Sequence, residues 1–315
     1  MEIITIKNLS KCFNMKTKNK IYAVKDIDLV IERGEALGLV GESGCGKSTL
    51  AKLILQLEKA TEGEVFYNNE DLTKKSFKQM QPIRSDLQMI FQNSSNIFNP
   101  YFTVKQIISE SINDKSLADE EKDKLIIDIL KKLGLDESYL NRYGNELSGG
   151  QRQRIGIARA LISNPKFVVC DEAVSSLDYI IKKQILDLLL SLKAQMGLTY
   201  LFISHDLASV KKACDRVVVM YLGNIVEILP SLDSEALHPY TKALLAASLD
   251  INPRNRTKQK VLFKEDGEKT IPKTGCIYQY RCLYTTDECT IKKPDMKGGD
   301  EKHFVACHLC NKILK

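Results

Sequence analysis

Gly41-Glu42-Ser43-Gly44-Cys45-Gly46-Lys47-Ser48-Thr49 is the stretch on which the reading of this chain turns. It fits the pattern G-x-x-x-x-G-K-[ST]. An almost unbroken apolar run over residues 36–40 precedes it, as expected of a buried parallel strand. Leu50, Leu53, Ile54 and Leu57 follow at helical spacing. Strand, glycine-rich loop and helix in that order make an anion site. The glycines let backbone N–H groups turn inward, and the helix N-terminus adds a partial positive charge. Lys47 is placed to neutralise outer phosphates as a point charge, and Ser48 to offer a hydroxyl to Mg²⁺.

Outward from this loop the chain alternates. Residues 1–60 read strand, strand, loop, helix, with Ile4 and Ile6 alternating against Thr5 and Lys7. Residues 105–140 are mostly helical and polar-faced, with Ile107, Ile108, Leu125, Ile129 and Leu133 as the expected buried stripe. A helix is predicted over 151–163 and is ended by Asn164-Pro165. A short apolar strand over 167–170 then closes on two acids, Asp171 and Glu172. A leucine-faced helix over 184–195 and strands over 199–204 and 216–221 complete the pattern, with no internal repeat. Strands alternating with helices imply a layered α/β core. Asp171, at a strand terminus, is placed to reach a metal beside Ser48. Glu172, adjacent but pointing elsewhere, suits a general base that polarises an attacking water.

The pattern changes near Pro230. A helix-like stretch covers 235–249, and 254–264 holds five Lys/Arg and no acid, as an exposed connector would. Glycine, cysteine and charge dominate from Gly275 onward. Of the net charge of +6, the segment from Ser231 to Lys315 holds +4, from 15 Lys/Arg and 11 Asp/Glu. That excess is too mild to argue for nucleic acid. No apolar run approaches the roughly 18–20 residues that span a bilayer, and no secretory leader opens the chain. If the protein serves a membrane, another subunit does the crossing. The nine cysteines are an odd count, so reduced thiols or metal ligands are expected rather than a disulfide framework. Five of the nine lie between Cys276 and Cys310, whereas Cys45, Cys170 and Cys214 are expected to be small buried packing residues.

Leu147-Ser148-Gly149-Gly150-Gln151 stands just before the helix that leads into the acidic strand. With the phosphate loop upstream and Asp171-Glu172 downstream, residues 1–230 resemble the nucleotide-binding subunits of ABC transporters. Read physically, Ser148, Gly149 and Gly150 open a helix and make a second anion site. The resemblance implies a P-loop NTPase core of RecA-like α/β type, with an N-terminal antiparallel β subdomain and a helical signature subdomain. It implies ATP hydrolysis with Mg²⁺, in a head-to-tail dimer that clamps each ATP between one subunit's phosphate loop and the other's LSGGQ. Residue by residue, Gly41, Ser43, Gly44, Cys45, Gly46, Lys47, Ser48 and Thr49 are then the ATP loop, and Ser148, Gly149, Gly150 and Gln151 the trans contact. Gln92 resembles the glutamine that touches Mg²⁺ and water and senses the membrane partner. Mg²⁺ is then held by Ser48, Gln92 and Asp171, with Glu172 as base. Asp178, in Ser176-Leu177-Asp178, resembles the loop crossing the dimer interface, and His205 resembles the switch histidine on the γ-phosphate. Phe13 resembles the adenine-stacking aromatic, with Tyr22 as its rival. Ala173 departs from the usual proline and Asn93 from the usual aspartate; neither removes a phosphate or metal contact.

His238-Pro239-Tyr240-Thr241-Lys242-Ala243-Leu244-Leu245 resembles a stretch of the dipeptide, oligopeptide and nickel importer ATPases. Gly275-Cys276, Arg281-Cys282-Leu283-Tyr284, Cys289 and the run from His303 through Phe304, Val305, Ala306, Cys307, His308 and Leu309 resemble the C-terminal module of the peptide importers. The division expected is a nucleotide-binding domain over 1–230 and a four-cysteine extension over 231–315. Four thiols in a short segment with little core suit a metal staple. Cys276, Cys282, Cys289 and Cys307 fit a [4Fe–4S] cluster or Zn²⁺, with simple thiols as the third option. Spacings of five, six and seventeen residues favour the cluster over paired zinc knuckles, although Cys307 and Cys310 form one such pair. The partners implied are a second, sister ATPase subunit, two transmembrane permease subunits and, indirectly, an extracellular solute-binding protein. The place implied is the cytoplasmic face of the cell membrane. The cargo stays open between peptide, which is favoured, and nickel or another small solute. A soluble ABC protein on ribosomes or DNA is the rival class; it would carry a second cassette or a long coiled coil, and neither is present. A redox sensor with a secondary ATPase is the other rival.

Overall fold

The structure, a computed structural model, describes residues 1–14, 20–91, 98–112, 114, 116–175, 177–247, 264, 270–298 and 302–310. Gln92, Asn93, Ser176 and most of the basic connector lie outside them. The chain opens with β1 (Glu2–Phe13), β2 (Ile21–Glu32) and β3 (Ala36–Val40), then α1 (Lys47–Ile54), β4 (Glu62–Tyr67) and β5 (Glu70–Asp71). Next come α2 (Phe77–Arg84), β6 (Leu87–Ile90), α3 (Val104–Ser109), α4 (Asp119–Lys132) and α5 (Gly149–Leu161). There follow β7 (Phe167–Asp171), α6 (Tyr179–Met196), β8 (Thr199–Ile203), α7 (Leu207–Ala213), β9 (Arg216–Tyr221) and β10 (Asn224–Leu229). The last elements are α8 (Pro239–Ala247), α9 (Asp287–Ile291), β11 (Lys297–Gly298) and β12 (Phe304–Val305).

Two compact units result. The first comprises Met1–Ile4, Val30–Ala36 and Phe66–Ser204, and the second Thr5–Leu29, Leu37–Val65 and His205–Lys315. In the first, β6, β7 and β8 run parallel, in register from Leu87↔Phe167 to Ile90↔Cys170 and from Phe167↔Thr199 to Asp171↔Ile203. Every residue of β8 is buried, which is why its sequence reads as a continuous apolar run rather than an alternation. The helices α3, α4 and α5 pack on one another in the same unit. α4 starts with Asp119, Glu120 and Glu121 and ends with Lys131 and Lys132, charges that complement its dipole.

In the second unit β3 pairs β9 in parallel, from Leu37↔Arg216 to Val40↔Val219. β9 is antiparallel to β10, β10 to β12 and β12 to β11, so the last strands of the chain extend this sheet. β3 and β10 are buried throughout. A Cβ on Gly38 would lie 2.9 Å from Val210 Cγ1, so α7 is packed down on β3. β1 keeps Ile4 and Ile6 buried, as the alternation predicts. Asn8, at φ 47°, then breaks the pleat, and both Leu9 and Ser10 are buried.

Several expectations are corrected in detail. Leu57 lies beyond the end of α1 and is exposed. Leu125 is exposed too, and Ile126 and Leu130 join Ile129 inside, on the face of α4 that packs against α3 and α5. The helix expected over 151–163 runs Gly149–Leu161, since Ser148 caps it early. The helix expected over 184–195 begins at Tyr179, where Asp178 caps it, and ends at Met196 before Gly197 at φ 64°. The stretch expected over 235–249 is helical over Pro239–Ala247. Cys45 and Cys170 are buried as expected, whereas Cys214 is only half-buried, and none of the nine cysteines is in a disulfide. Among the described residues no helix is long and apolar enough to cross a membrane.

Candidate functional site

The second unit carries the phosphate loop between β3 and α1. Its backbone demands glycine at two points. Gly41 has φ 152°, and a Cβ there would meet Met220 O at 2.1 Å; Gly46 has φ 108°, and a Cβ would meet Ala23 O at 2.0 Å. Gly46 is also the N-cap of α1. Lys47 is buried, and its ammonium donates to Gly41 O at 2.8 Å and to Glu42 O at 3.0 Å. The cation is thus folded over the loop's own carbonyls, where an incoming phosphate would exchange for them. Burial raises the Cys45 thiol above its usual range, opposed by the Lys47 charge beside it. Gly223 N donates to Cys45 O at 2.8 Å, which ties the loop to the β9–β10 turn.

Glu42 is gripped from the C-terminal part of the chain. Its N–H donates to Tyr240 Oη at 2.9 Å, and its carboxylate takes Arg281 Nη1 at 2.8 Å. Neither contact was visible in the sequence. Tyr240 and Arg281 stand about 200 residues downstream of Glu42, and no local pattern links them to it. Phe13 ends β1 as an exposed ring, with Lys11 Nζ 5.0 Å from its centroid, while Tyr22 is half-buried with Lys25 Nζ at 5.3 Å. His205 is exposed just ahead of α7.

The first unit carries the acids and the Ser148 helix start that was expected to be a second anion site. Asp171 ends β7 half-buried. Glu172 follows at φ 47°, a left-handed conformation that costs a non-glycine residue on the order of 1 kcal/mol. Its N–H donates to Ile203 O at 3.0 Å, and its carbonyl accepts from Ser175 N and Oγ. The backbone is therefore held on both sides of the strained residue. Ser148 caps α5 in a reciprocal box: Gln151 N donates to Ser148 Oγ at 3.3 Å, and Ser148 N to Gln151 Oε1 at 2.8 Å. Gln151 Nε2 in turn donates to Tyr139 Oη at 2.9 Å. A Cβ on Gly150 would sit 2.9 Å from Ile181 Cγ2, so the opening of α5 lies against the first turn of α6. Asp178 Oδ1 caps that turn, accepting from Ile180 N and Ile181 N.

Cys276, Cys282, Cys289, Cys307 and Cys310 are all buried. Burial, with a smaller contribution from the neighbouring thiols Cys282 and Cys289, pushes the Cys276 thiol up to about 12 and Cys307 up to about 11. The thiols are therefore neighbours. Among the described residues, however, no three His, Cys, Asp or Glu side chains are arranged to hold a metal ion. The four-ligand centre expected of Cys276, Cys282, Cys289 and Cys307 is therefore not formed among the described residues.

Comparison with known proteins agrees with this layout. Residues 24–175 match the ABC transporter family, and residues 226–289 match the oligopeptide/dipeptide transporter C-terminal region. The oligopeptide transport ATP-binding protein OppF of Haemophilus influenzae is 42% identical over 319 residues, covering 97% of this chain and 96% of that protein. The putative oligopeptide transport ATP-binding protein YkfD of Bacillus subtilis is 41% identical over 315 residues, covering 98% and 96%. A solved dimeric post-hydrolysis state of the ATP-binding cassette MJ0796, bound to ADP and Pi, matches with a TM-score of 0.65 at 32% identity, over 71% of this chain and 96% of that one. By its loop geometry, its ordered motifs and these relatives, the chain belongs to the ABC transporter ATP-binding proteins that carry an oligopeptide/dipeptide transporter C-terminal region.

Proposed function

We propose that this chain is the ATP-hydrolysing subunit of a peptide importer, working with a sister ATPase subunit and two membrane permease subunits at the cytoplasmic face of the membrane. The observation that carries the reading is the phosphate loop, in which two glycines with close backbone neighbours present a buried lysine to the anion. Phosphoryl transfer to water requires mostly positioning and charge, which is what these residues supply. Lys47 and the loop N–H groups bind the phosphates. The hydroxyl of Ser48 and the carboxylate of Asp171 are hard oxygen donors of the kind Mg²⁺ takes, and Gln92, outside the described residues, is the third ligand expected. When bound, Mg²⁺ neutralises charge on the phosphates. Glu172 takes a proton from the attacking water. His205 faces the γ-phosphate and Phe13 stacks on the adenine. Ser148, Gly149, Gly150, Gln151 and Asp178 serve the nucleotide of the partner subunit in a head-to-tail dimer.

The test is Glu172→Gln, which keeps the side chain's size and removes its basicity. Turnover is expected to fall about 10²–10⁴-fold with ATP binding retained. A variant that hydrolyses ATP at the normal rate would remove Glu172 from this role. The cargo is read as peptide because of the C-terminal match. Uptake of labelled oligopeptides, dipeptides and nickel by cells with and without the subunit separates the options.

The extension over 231–315 is read as a module that holds a [4Fe–4S] cluster through Cys276, Cys282, Cys289 and Cys307. Its support is chemical: four buried thiols, with the charged forms of Cys276, Cys282 and Cys307 penalised by burial unless a metal offsets it. Iron, acid-labile sulfide and zinc per chain, measured after purification without oxygen, decide it. About four irons and four sulfides support the cluster. One zinc without sulfide assigns a structural clip, for which Cys310 beside Cys307 is an available fifth thiol.

A further inference from the structure

Glu42, the second residue of the phosphate loop, is held at three points. Its carbonyl accepts from Lys47 Nζ at 3.0 Å, its N–H donates to Tyr240 Oη at 2.9 Å, and its carboxylate pairs with Arg281 Nη1 at 2.8 Å. Two of these three partners come from the C-terminal part of the second unit. The Arg281 side chain is 10% exposed and that of Glu42 27%, so the pair is partly shielded from solvent.

The support behind these two residues is rigid. Tyr221, Tyr240 and Tyr278 form a closed aromatic triad, with ring centroids 4.6, 5.2 and 5.4 Å apart. Tyr240 N donates to the buried His238 Nδ1 at 3.0 Å. Arg281 N and Cys282 N both donate to Tyr278 O, so the turn that presents the guanidinium is anchored on the triad. Tyr221 ends β9 next to Met220, whose carbonyl lies against Gly41.

We infer that Arg281 and Tyr240 are positioning residues for the nucleotide, which makes the C-terminal segment a working part of the ATP site. The inference rests on ATP binding at this loop. Glu42 puts a negative charge on a loop that must take up a polyanion. Arg281 cancels that charge, and Tyr240 holds the peptide unit between Gly41 and Glu42, whose two residues offer the carbonyls bound by Lys47. Without the guanidinium, the carboxylate stands unneutralised beside the phosphate site and repels the nucleotide.

The experiment measures the Kd of a fluorescent ATP analogue, displaced by ATP, on the full chain, together with thermal melting. Wild type, Arg281→Gln, Glu42→Gln/Arg281→Gln and Tyr240→Phe are compared. Arg281→Gln is expected to raise Kd about tenfold, and the added Glu42→Gln to bring it back within about threefold of wild type. Tyr240→Phe keeps the ring in the triad and loses only the hydroxyl; a rise in Kd of about threefold is expected. A merely structural arginine would not be rescued by neutralising Glu42. An Arg281→Gln chain that melts normally and binds ATP like wild type overturns the inference, as does a loss that the double variant leaves in place. If Arg281→Gln shows no melting transition, Tyr240→Phe decides: unchanged Kd overturns the inference. Wild-type chain that binds no nucleotide sinks the ATPase reading itself, a different result from these.

Discussion

At the scale of single residues, backbone conformation and burial set what each position tolerates. Gly44 and Gly46 show the difference. Both have positive φ, 77° and 108°, but nothing lies within 4 Å of a Cβ on Gly44, whereas Ala23 O is 2.0 Å from one on Gly46. Gly44→Ala should therefore cost only conformational strain, about 1 kcal/mol, with ATP binding kept. Gly46→Ala must move backbone and is expected to weaken ATP binding tenfold or more on the same titration. His238 is fully buried and accepts from Tyr240 N, so burial lowers its pKa from 6.5 to about 3. The sign follows: between those values the unfolded chain binds the proton and the native chain does not. His238 therefore withdraws stability as pH falls from about 6.5 toward 3, by up to about 1.4 kcal/mol per pH unit. Denaturant midpoints between pH 7 and pH 4 should fall less steeply in His238→Gln. The Tyr278 hydroxyl is buried without a hydrogen-bond partner among the described residues. Tyr278→Phe should thus leave the melting temperature unchanged or raise it slightly.

At the scale of elements, caps and one buried carboxylate decide where segments start and dock. Ser148 both caps α5 and is assigned to the partner's nucleotide, so Ser148→Ala should lose about 1 kcal/mol of stability and a larger share of turnover. Equal fractional losses in both would leave it a cap and nothing more. Glu227 on β10 is fully buried, accepts from Leu237 N at 2.7 Å and His238 N at 3.1 Å, and pairs with His303 Nε2 at 2.8 Å. It fastens both the approach to α8 and the approach to β12 onto the sheet. Glu227→Ala leaves two N–H groups and a ring nitrogen without that partner, and a loss of about 3 kcal/mol in chemical denaturation is expected. β1, β3, β7, β8 and β9 and the longer helices could be read beforehand, because continuous apolar runs and 3.6-residue stripes are local properties of the chain, whereas β4 to β6 and β10 to β12 were not read. The edges were less legible. Leu57 and Leu125 fit a helical stripe by spacing and are nonetheless exposed, since α1 ends before Leu57 and the tertiary packing of α4 covers the face beside Leu125.

At the scale of the whole molecule, local chemistry was determined by sequence and its assembly by folding. The phosphate loop, the acidic strand end and the Ser148 helix start could be named from residue order, because each is a short contiguous motif whose backbone geometry its own glycines, caps and flanking strand impose. What only the tertiary structure decided is which distant residues reach those motifs. The grip of Tyr240 and Arg281 on Glu42, the triad of Tyr221, Tyr240 and Tyr278, and the extension of the β9–β10 pair by β12 all join positions far apart in the chain. Such contacts exist only after the sheet has brought its edges together, and no window of sequence contains both partners.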